Sequence, residues 1–209
     1  LRIHDRFPET SLEKHAFQFH EFSKTFINSL EKASKQSWVF KLLKISIVLF
    51  AICLLLFMGY IIQKHPTDEP MNMVNSIVNT SFLLFGLLYF LFYLDKKYKR
   101  KRVSALLIKI KHYVHVVDMH QTNKDPNHFN DDYISSENSP VKKMTKFELQ
   151  RYLDYVSEFV TLASKLSCLA LAKCDDDQEL ISRINEVEAL CNGISLKVWH
   201  KITILNSIE

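Results

Sequence analysis

Three residues in the middle of the chain have a spacing that could serve metal chemistry. His112, His115 and Asp118 recur every three residues, so on a helix they share one face and could offer two imidazoles and a carboxylate to a metal ion. No recognised ligand motif frames them, and the neighbouring lysines repel a cation. We therefore expect solvated side chains beside a basic helix, and no metal.

The cysteines and the aspartate run offer little more chemistry. Cys168, Cys174 and Cys191 lack the two-residue spacing of zinc knuckles, and we interpret them as core residues because cysteine is among the most buried residue types. The run Asp175, Asp176, Asp177 lacks the alternating ligands and the glycine of a calcium loop. It is better suited to the start of a helix, where negative charge is favoured.

Catalytic and cofactor motifs are absent from the sequence. The three glycines form neither GxGxxG nor GxxxxGK[ST], and the motifs GxSxG and HExxH do not occur. The excess of positive charge lies beside one apolar block and not on a face that could follow nucleic acid. We expect a non-enzymatic protein without a cofactor and without direct nucleic-acid binding.

Two uncharged apolar blocks dominate the chain. Residues 45–62 read ISIVLFAICLLLFMGYII and residues 77–94 read IVNTSFLLFGLLYFLFYL. Each is long enough, at 1.5 Å per residue, to cross most of a hydrocarbon core about 30 Å thick. The connection from Gln63 to Ser76 contains Pro66 and Pro70 and is too short for a domain, which predicts an antiparallel transmembrane hairpin.

Lysine and arginine flank the outer ends of both blocks, whereas the turn between the blocks carries only Lys64. This asymmetry predicts that both termini are cytoplasmic, by the positive-inside rule. The basic run after the second block is expected to contact lipid headgroups. Its residues are Lys96, Lys97, Lys99, Arg100, Lys101 and Arg102.

Four polar residues lie within the apolar blocks: Ser46, Asn79, Thr80 and Ser81. Polar groups in a span usually face another helix or water, because facing lipid leaves them unpaired. One interpretation is that Asn79 lies at the turn end and reaches headgroups. The other is that these residues face the axis of an oligomer and line a narrow path.

The rest of the chain has helical periodicity. Residues 11–37 carry an apolar stripe that could lie on a membrane surface or pack against other helices, and packing is favoured by the acids within it. Thr145 is a plausible N-cap for a helix, and Gly193 is a candidate position for a bend or an end. Four striped helices bury those stripes most simply as a bundle.

The sequence therefore predicts an all-α membrane protein with a two-helix transmembrane hairpin and a cytoplasmic helical bundle. The expected segments are a cytoplasmic amphipathic helix (1–39), the hairpin (40–95), a cytoplasmic extension of the second span (96–120), a polar loop (121–144) and a cytoplasmic helical hairpin (145–209).

This order of parts resembles the two-span membrane effectors of bacterial antiphage systems. These include SLATT-type proteins found beside nucleotide-second-messenger synthases and the small membrane effectors of retrons. The resemblance is one of architecture and covers most of the chain. It implies that the hairpin oligomerises and disrupts the inner membrane once a cytoplasmic sensor, either a protein or a ribonucleoprotein, releases it.

A second functional class has a similar outline. In two-span regulatory subunits of eukaryotic lipid phosphatases, the hairpin tethers a helical adaptor to a larger complex. The chain could accordingly be a non-catalytic regulatory or anchoring subunit.

Overall fold

The computed structural model describes residues 2–35, 38–64, 70–130, 144–172 and 177–208. All regular structure in these ranges is helical and none of it is strand, which confirms the all-α class. The helices are α1 (Arg2–Arg6), α2 (Ser11–Ser34), α3 (Trp38–Lys64), α4 (Pro70–Thr122), α5 (Lys146–Leu171) and α6 (Gln178–Ser207), with a 3-10 turn at Pro126–Phe129.

The chain divides into two compact units. The bundle unit comprises the described residues of Leu1–Ser34 and Arg102–Glu209, and the apolar pair comprises those of Lys35–Lys101. The long helix α4 contributes to both, since it runs from Pro70 to Thr122 without a break. The second apolar block and its extension after residue 96 therefore form one continuous helix, as expected from a helical pattern that no glycine or proline interrupts there.

The core of the bundle unit is formed by one apolar stripe from each of four helices. Burying these stripes removes apolar surface from water, which contributes about 25 cal/mol per Å². The fully buried side chains include Leu12 and Phe26 of α2, Leu107, Ile110 and Val114 of α4, Leu153, Val156 and Ala163 of α5, and Ile184, Val187 and Leu205 of α6.

Helix α2 packs into this core. Its Phe19 is buried, with its ring centroid 4.4 Å from that of Phe159 on α5 and 5.5 Å from that of Tyr113 on α4. Phe26 has no exposed surface at all. Of the two expectations for this stripe, packing against other helices is therefore correct.

Local sequence signals start α5 and α6. The Thr145 hydroxyl accepts from the Glu148 N–H and the Glu148 carboxylate accepts from the Thr145 N–H, so the predicted N-cap forms a complete capping box. Asp177 caps α6 by accepting from the N–H groups of Glu179 and Leu180. Helix α6 continues through Gly193, so this residue is not a helix end.

The cysteines that were expected in the core differ in burial. Cys191 is buried as expected, whereas the core interpretation is wrong for Cys168, which is exposed and donates to the Glu188 carboxylate at 2.9 Å. Cys174, Asp175 and Asp176 lie outside the described residues.

The expected turn and loop are described only in part. Helix α4 already begins at Pro70, and residues 65–69 of the turn lie outside the described residues. Of the polar loop, residues 131–143 lie outside them, and Asp125 caps the 3-10 turn before them.

Candidate membrane region and its basic end

Helices α3 and α4 are long and apolar enough to cross a membrane. In their most apolar stretches, 0% and 6% of the residues are buried. A helix at the core of a soluble protein would instead be mostly buried, because water does not solvate contiguous Leu, Ile and Phe side chains favourably. The apolar pair therefore exposes a surface that needs a covering other than water.

Within the apolar pair, α3 and α4 run antiparallel in a defined register. The Lys44 ammonium lies 3.5 Å from Asp95 Oδ2 and 3.8 Å from the centroid of the Phe92 ring. One turn away, the rings of Phe40 and Tyr98 are 6.2 Å apart. These contacts join the start of α3 to the part of α4 that follows its apolar block.

This register aligns the two apolar blocks. Counting equal numbers of residues from Lys44 and from Asp95 brings residue 45 level with residue 94, and residue 62 level with residue 77. Residues 45–62 and 77–94 therefore begin and end at the same levels. Matching lengths at matching heights suit a slab of hydrocarbon with two parallel boundaries.

A groove of about 220 Å³ lies between α3 and α4, on the stretch from the Lys44–Asp95 contact toward the end of α3. Most of its lining is apolar, and hydroxyl groups come only from one stretch of α4. The residues that line it are Ala51, Leu54, Leu55, Ser76, Ile77, Thr80, Ser81, Leu84, Phe85 and Leu88.

The four polar residues predicted within the spans do not share one face. Thr80 and Ser81 are half-buried and line the groove, whereas Ser46 and Asn79 are exposed. The Thr80 hydroxyl donates to the carbonyl oxygen of Ser76 at 2.8 Å, so its own helix satisfies it. Of the two exposed polar side chains, Asn79 carries the larger number of hydrogen-bonding atoms.

The basic residues gather at one end of the apolar pair. Because Lys44 faces Asp95, Lys41 and Lys44 of α3 lie at the same end as residues 96–101 of α4. Lys96, Lys97 and Lys101 are exposed, and Lys99 and Arg100 are half-buried. We call this region, residues 41–44 and 95–101, the basic end.

Arg102 belongs to the bundle unit, where its guanidinium donates to the carbonyl oxygen of Lys32 at 3.1 Å. At least part of this side chain is therefore engaged by protein, unlike the exposed lysines of the basic run.

The buried residue of the basic end is one that the sequence analysis did not single out. Asp95 is 6% exposed, and its Oδ1 has no hydrogen-bond partner among the described residues. It directly precedes the basic run, and it is the one acid among residues 95–102. A single acid next to so many cations was the sequence signal that could have identified Asp95 as a paired residue.

The histidine-rich part of α4 forms no metal site within the described residues. His112 and His115 are exposed, while Asp118 accepts from Lys197 of α6 at 3.2 Å. The structure instead brings His120 beside His15 of α2, with ring centroids 5.3 Å apart. Partial burial, and then the charge of His120, lower the pKa of His15 below its ordinary value.

No family model, curated protein or solved structure matches this chain. Its class therefore rests on its own architecture, which is an all-helical protein with two helices long and apolar enough to span a bilayer. Any more particular assignment is a matter of proposal.

Proposed function

We propose that this protein is a membrane effector whose α3–α4 hairpin spans a bacterial inner membrane, oligomerises and permeabilises it when a cytoplasmic sensor partner releases it. The observation that carries the proposal is that two apolar blocks lie side by side at the same height, are not buried in protein, and have the basic end at one of their two ends. The proposed setting is antiphage defence, as in the two-span effectors that the chain resembles.

Insertion is supported by the exposed surface of the apolar pair. Helix α3 has 27 residues and is about 40 Å long, which exceeds a hydrocarbon core of about 30 Å. Large side chains such as Phe82, Leu83 and Tyr89 are at least three-quarters exposed. Lipid tails cover such side chains without the cost of hydrating them.

The proposed orientation is supported by the basic end. Cations there can pair with anionic headgroups of the cytoplasmic leaflet, with each lysine or arginine near that surface contributing about 1 kcal/mol. Lys96, Lys97 and Lys101 are exposed and available for this contact. Both termini would then be cytoplasmic.

Permeabilisation is the proposed role of the polar positions near the other end. If residues 77–94 are centred in the bilayer, Asn79 lies about 5 Å inside the hydrocarbon edge. An exposed amide at that depth is favourable when it meets headgroups or the same region of a second copy. Assembly of several copies would bring the outward-facing Asn79 to a path for ions between copies, with Thr80 and Ser81 on the adjacent, groove-facing side of α4.

A membrane-potential measurement tests this function. Expression of the full chain should collapse the signal of a potential-sensitive dye and arrest growth. Replacing Asn79, Thr80 and Ser81 together by leucine should restore both, because the path would lose its polar lining.

The matched control carries the same number of leucine substitutions at exposed apolar positions of the same helix, Val78, Phe82 and Phe85, and should remain active. Unchanged potential and normal growth with the wild-type chain would rule the proposal out.

A second candidate is a regulatory or anchoring subunit of a larger membrane complex. It is favoured by Leu196 and Trp199, which are 70% and 67% exposed and lie three residues apart on one face of α6. Tryptophan is enriched among the residues that dominate the binding energy of protein–protein interfaces. An anchor should tolerate the triple leucine variant but lose its complex on Trp199→Ala.

A further inference from the structure

The contact between Lys44 and Asp95 is unusual for an ion pair because it is buried and poorly satisfied. The two side chains are 15% and 8% exposed, their charged atoms are 3.5 Å apart, and Asp95 Oδ1 has no hydrogen-bond partner among the described residues. Taking two charges out of water is costly, and one long contact returns only part of that cost. Such a pair adds little to stability.

The position of the pair gives it a different use. Leu84, Leu88, Leu91 and Asp95 follow one another at spacings of three and four, so they lie along one face of α4. Leu84 and Leu88 line the groove toward α3, and Leu91 is buried. The charge pair thus closes the basic end of the same helix–helix contact that is open as a groove farther along.

We propose that Lys44 and Asp95 form a latch that holds the basic ends of α3 and α4 together in the resting protein. The carboxylate is under-satisfied when the latch is closed, and it gains hydration or new cationic partners when the helices separate. The closed form is therefore poised, with apolar contacts such as Phe40–Tyr98 favouring it and the desolvated charges opposing it.

The surrounding cations make opening feasible. Once exposed, Asp95 could pair with Lys99, which lies four residues farther along the same helix and can replace Lys44 as a partner. Lys44, whose contact with the Phe92 ring of α4 also ends when the helices separate, can then extend its ammonium to water or to anionic headgroups. Neither group would be left as an isolated charge in an apolar setting.

The proposal predicts a sign pattern that simple packing does not. Removing one partner leaves the other charge buried alone and should open the pair, raising the open population at least about tenfold. Removing both charges and replacing them with leucine should close it more firmly than in the wild type, because the desolvation cost disappears while apolar contact increases.

The experiment measures the distance between spin labels at Lys41→Cys and Lys97→Cys, both exposed positions at the basic end, in the full chain reconstituted in liposomes. The four native cysteines are replaced by alanine. The variants are Asp95→Leu, Lys44→Leu, the double leucine variant, and the exchange Lys44→Asp with Asp95→Lys. Lys96→Leu, a neighbouring exposed lysine, is the control.

Longer distances in both single variants, with short distances in the double variant, the exchanged pair and the control, support the latch. Wild-type distances in the single variants overturn it, and so do long distances in the double variant. If a single variant fails to insert, the exchanged pair still tests the latch. The latch requires the exchanged variant to insert and to give short distances, and long distances in that variant would overturn it.

This inference rests on the membrane insertion of the proposed function, and its consequence is that opening should accompany permeabilisation. Dye-measured potential in the same variants separates the two claims. Opened distances with an unchanged potential support the latch and contradict the effector role. A collapsed potential with unaltered distances supports the effector role and contradicts the latch.

Discussion

The Lys44 ammonium lies 3.5 Å from Asp95 Oδ2, and this one contact aligns two helices over their entire apolar length. The partners are 51 residues apart in the sequence. Their pairing places residues 45–62 at the same height as residues 77–94. The lysines before α3's apolar block and the basic residues after α4's apolar block therefore lie at one basic end. The predictions below test this register, its orientation in a membrane and the packing of the bundle unit.

The register predicts which positions of α3 and α4 can be joined across the groove. Ala51 and Leu88 line the same groove from opposite helices, so a short bifunctional thiol reagent should join the pair Ala51→Cys and Leu88→Cys in a background without native cysteines. Mobility on a non-reducing gel after cleavage between the helices measures the yield.

The control moves the second cysteine by one residue. Tyr89 is 76% exposed, so Ala51→Cys with Tyr89→Cys should cross-link several-fold less. Equal yields for Leu88→Cys and Tyr89→Cys would mean that the helices do not face each other in this way.

Orientation can be tested with single cysteines at the two ends of the apolar pair. Gln63 and Lys99 lie at opposite ends, at the close of α3 and in the basic end respectively. In intact spheroplasts a membrane-impermeant maleimide should label Gln63→Cys, and it should label Lys99→Cys only after lysis. Labelling of Lys99→Cys in intact cells would reverse the proposed topology.

The packing of α2 predicts a large difference between two adjacent positions. Phe26 is fully buried, so Phe26→Ala should destabilise the bundle unit by about 3–5 kcal/mol. Ile27 is 55% exposed, and Ile27→Ala should change stability by less than about 0.5 kcal/mol. Thermal unfolding in detergent, followed by circular dichroism, measures both. Equal effects at the two positions would contradict the burial of this stripe.

The contact between His15 and His120 predicts a pH dependence with a definite sign. The pKa of His15 is lowered from 6.5 by its burial and then by His120, with Lys14 and His112 acting in the same direction. A hydrogen bond between His15 and the Gln18 side chain acts in the opposite direction. The unfolded chain therefore binds a proton at higher pH than the folded chain does. Stability is present above pH 6.5 and is lost as the pH falls through the lowered pKa.

Melting temperatures between pH 7.5 and pH 5 check this expectation. His15→Gln should reduce the loss on acidification, while the same substitution at the exposed His115 serves as the control for removing one histidine. An acid-induced loss as large in His15→Gln as in the wild type would exclude His15 as its source.

The sequence by itself determined the features that depend on neighbouring residues. Contiguous apolar residues predict two long apolar helices, the basic flanks predict their charged end, and the pattern from Thr145 to Glu148 predicts a capping box that the structure contains. These signals are local, since a helix places residues three and four apart on one face whatever surrounds it.

Only the tertiary structure decided how each helix is turned about its own axis and which distant residues meet. An isolated helical pattern does not specify whether Ser81 faces α3 while Asn79 faces outward, or that Cys168 is exposed while Cys191 is buried. It also leaves open whether the phenylalanines of α2 meet lipid or protein. These choices depend on the sum of contacts between helices far apart in the chain, and the pairing of Asp95 with Lys44 is the clearest case.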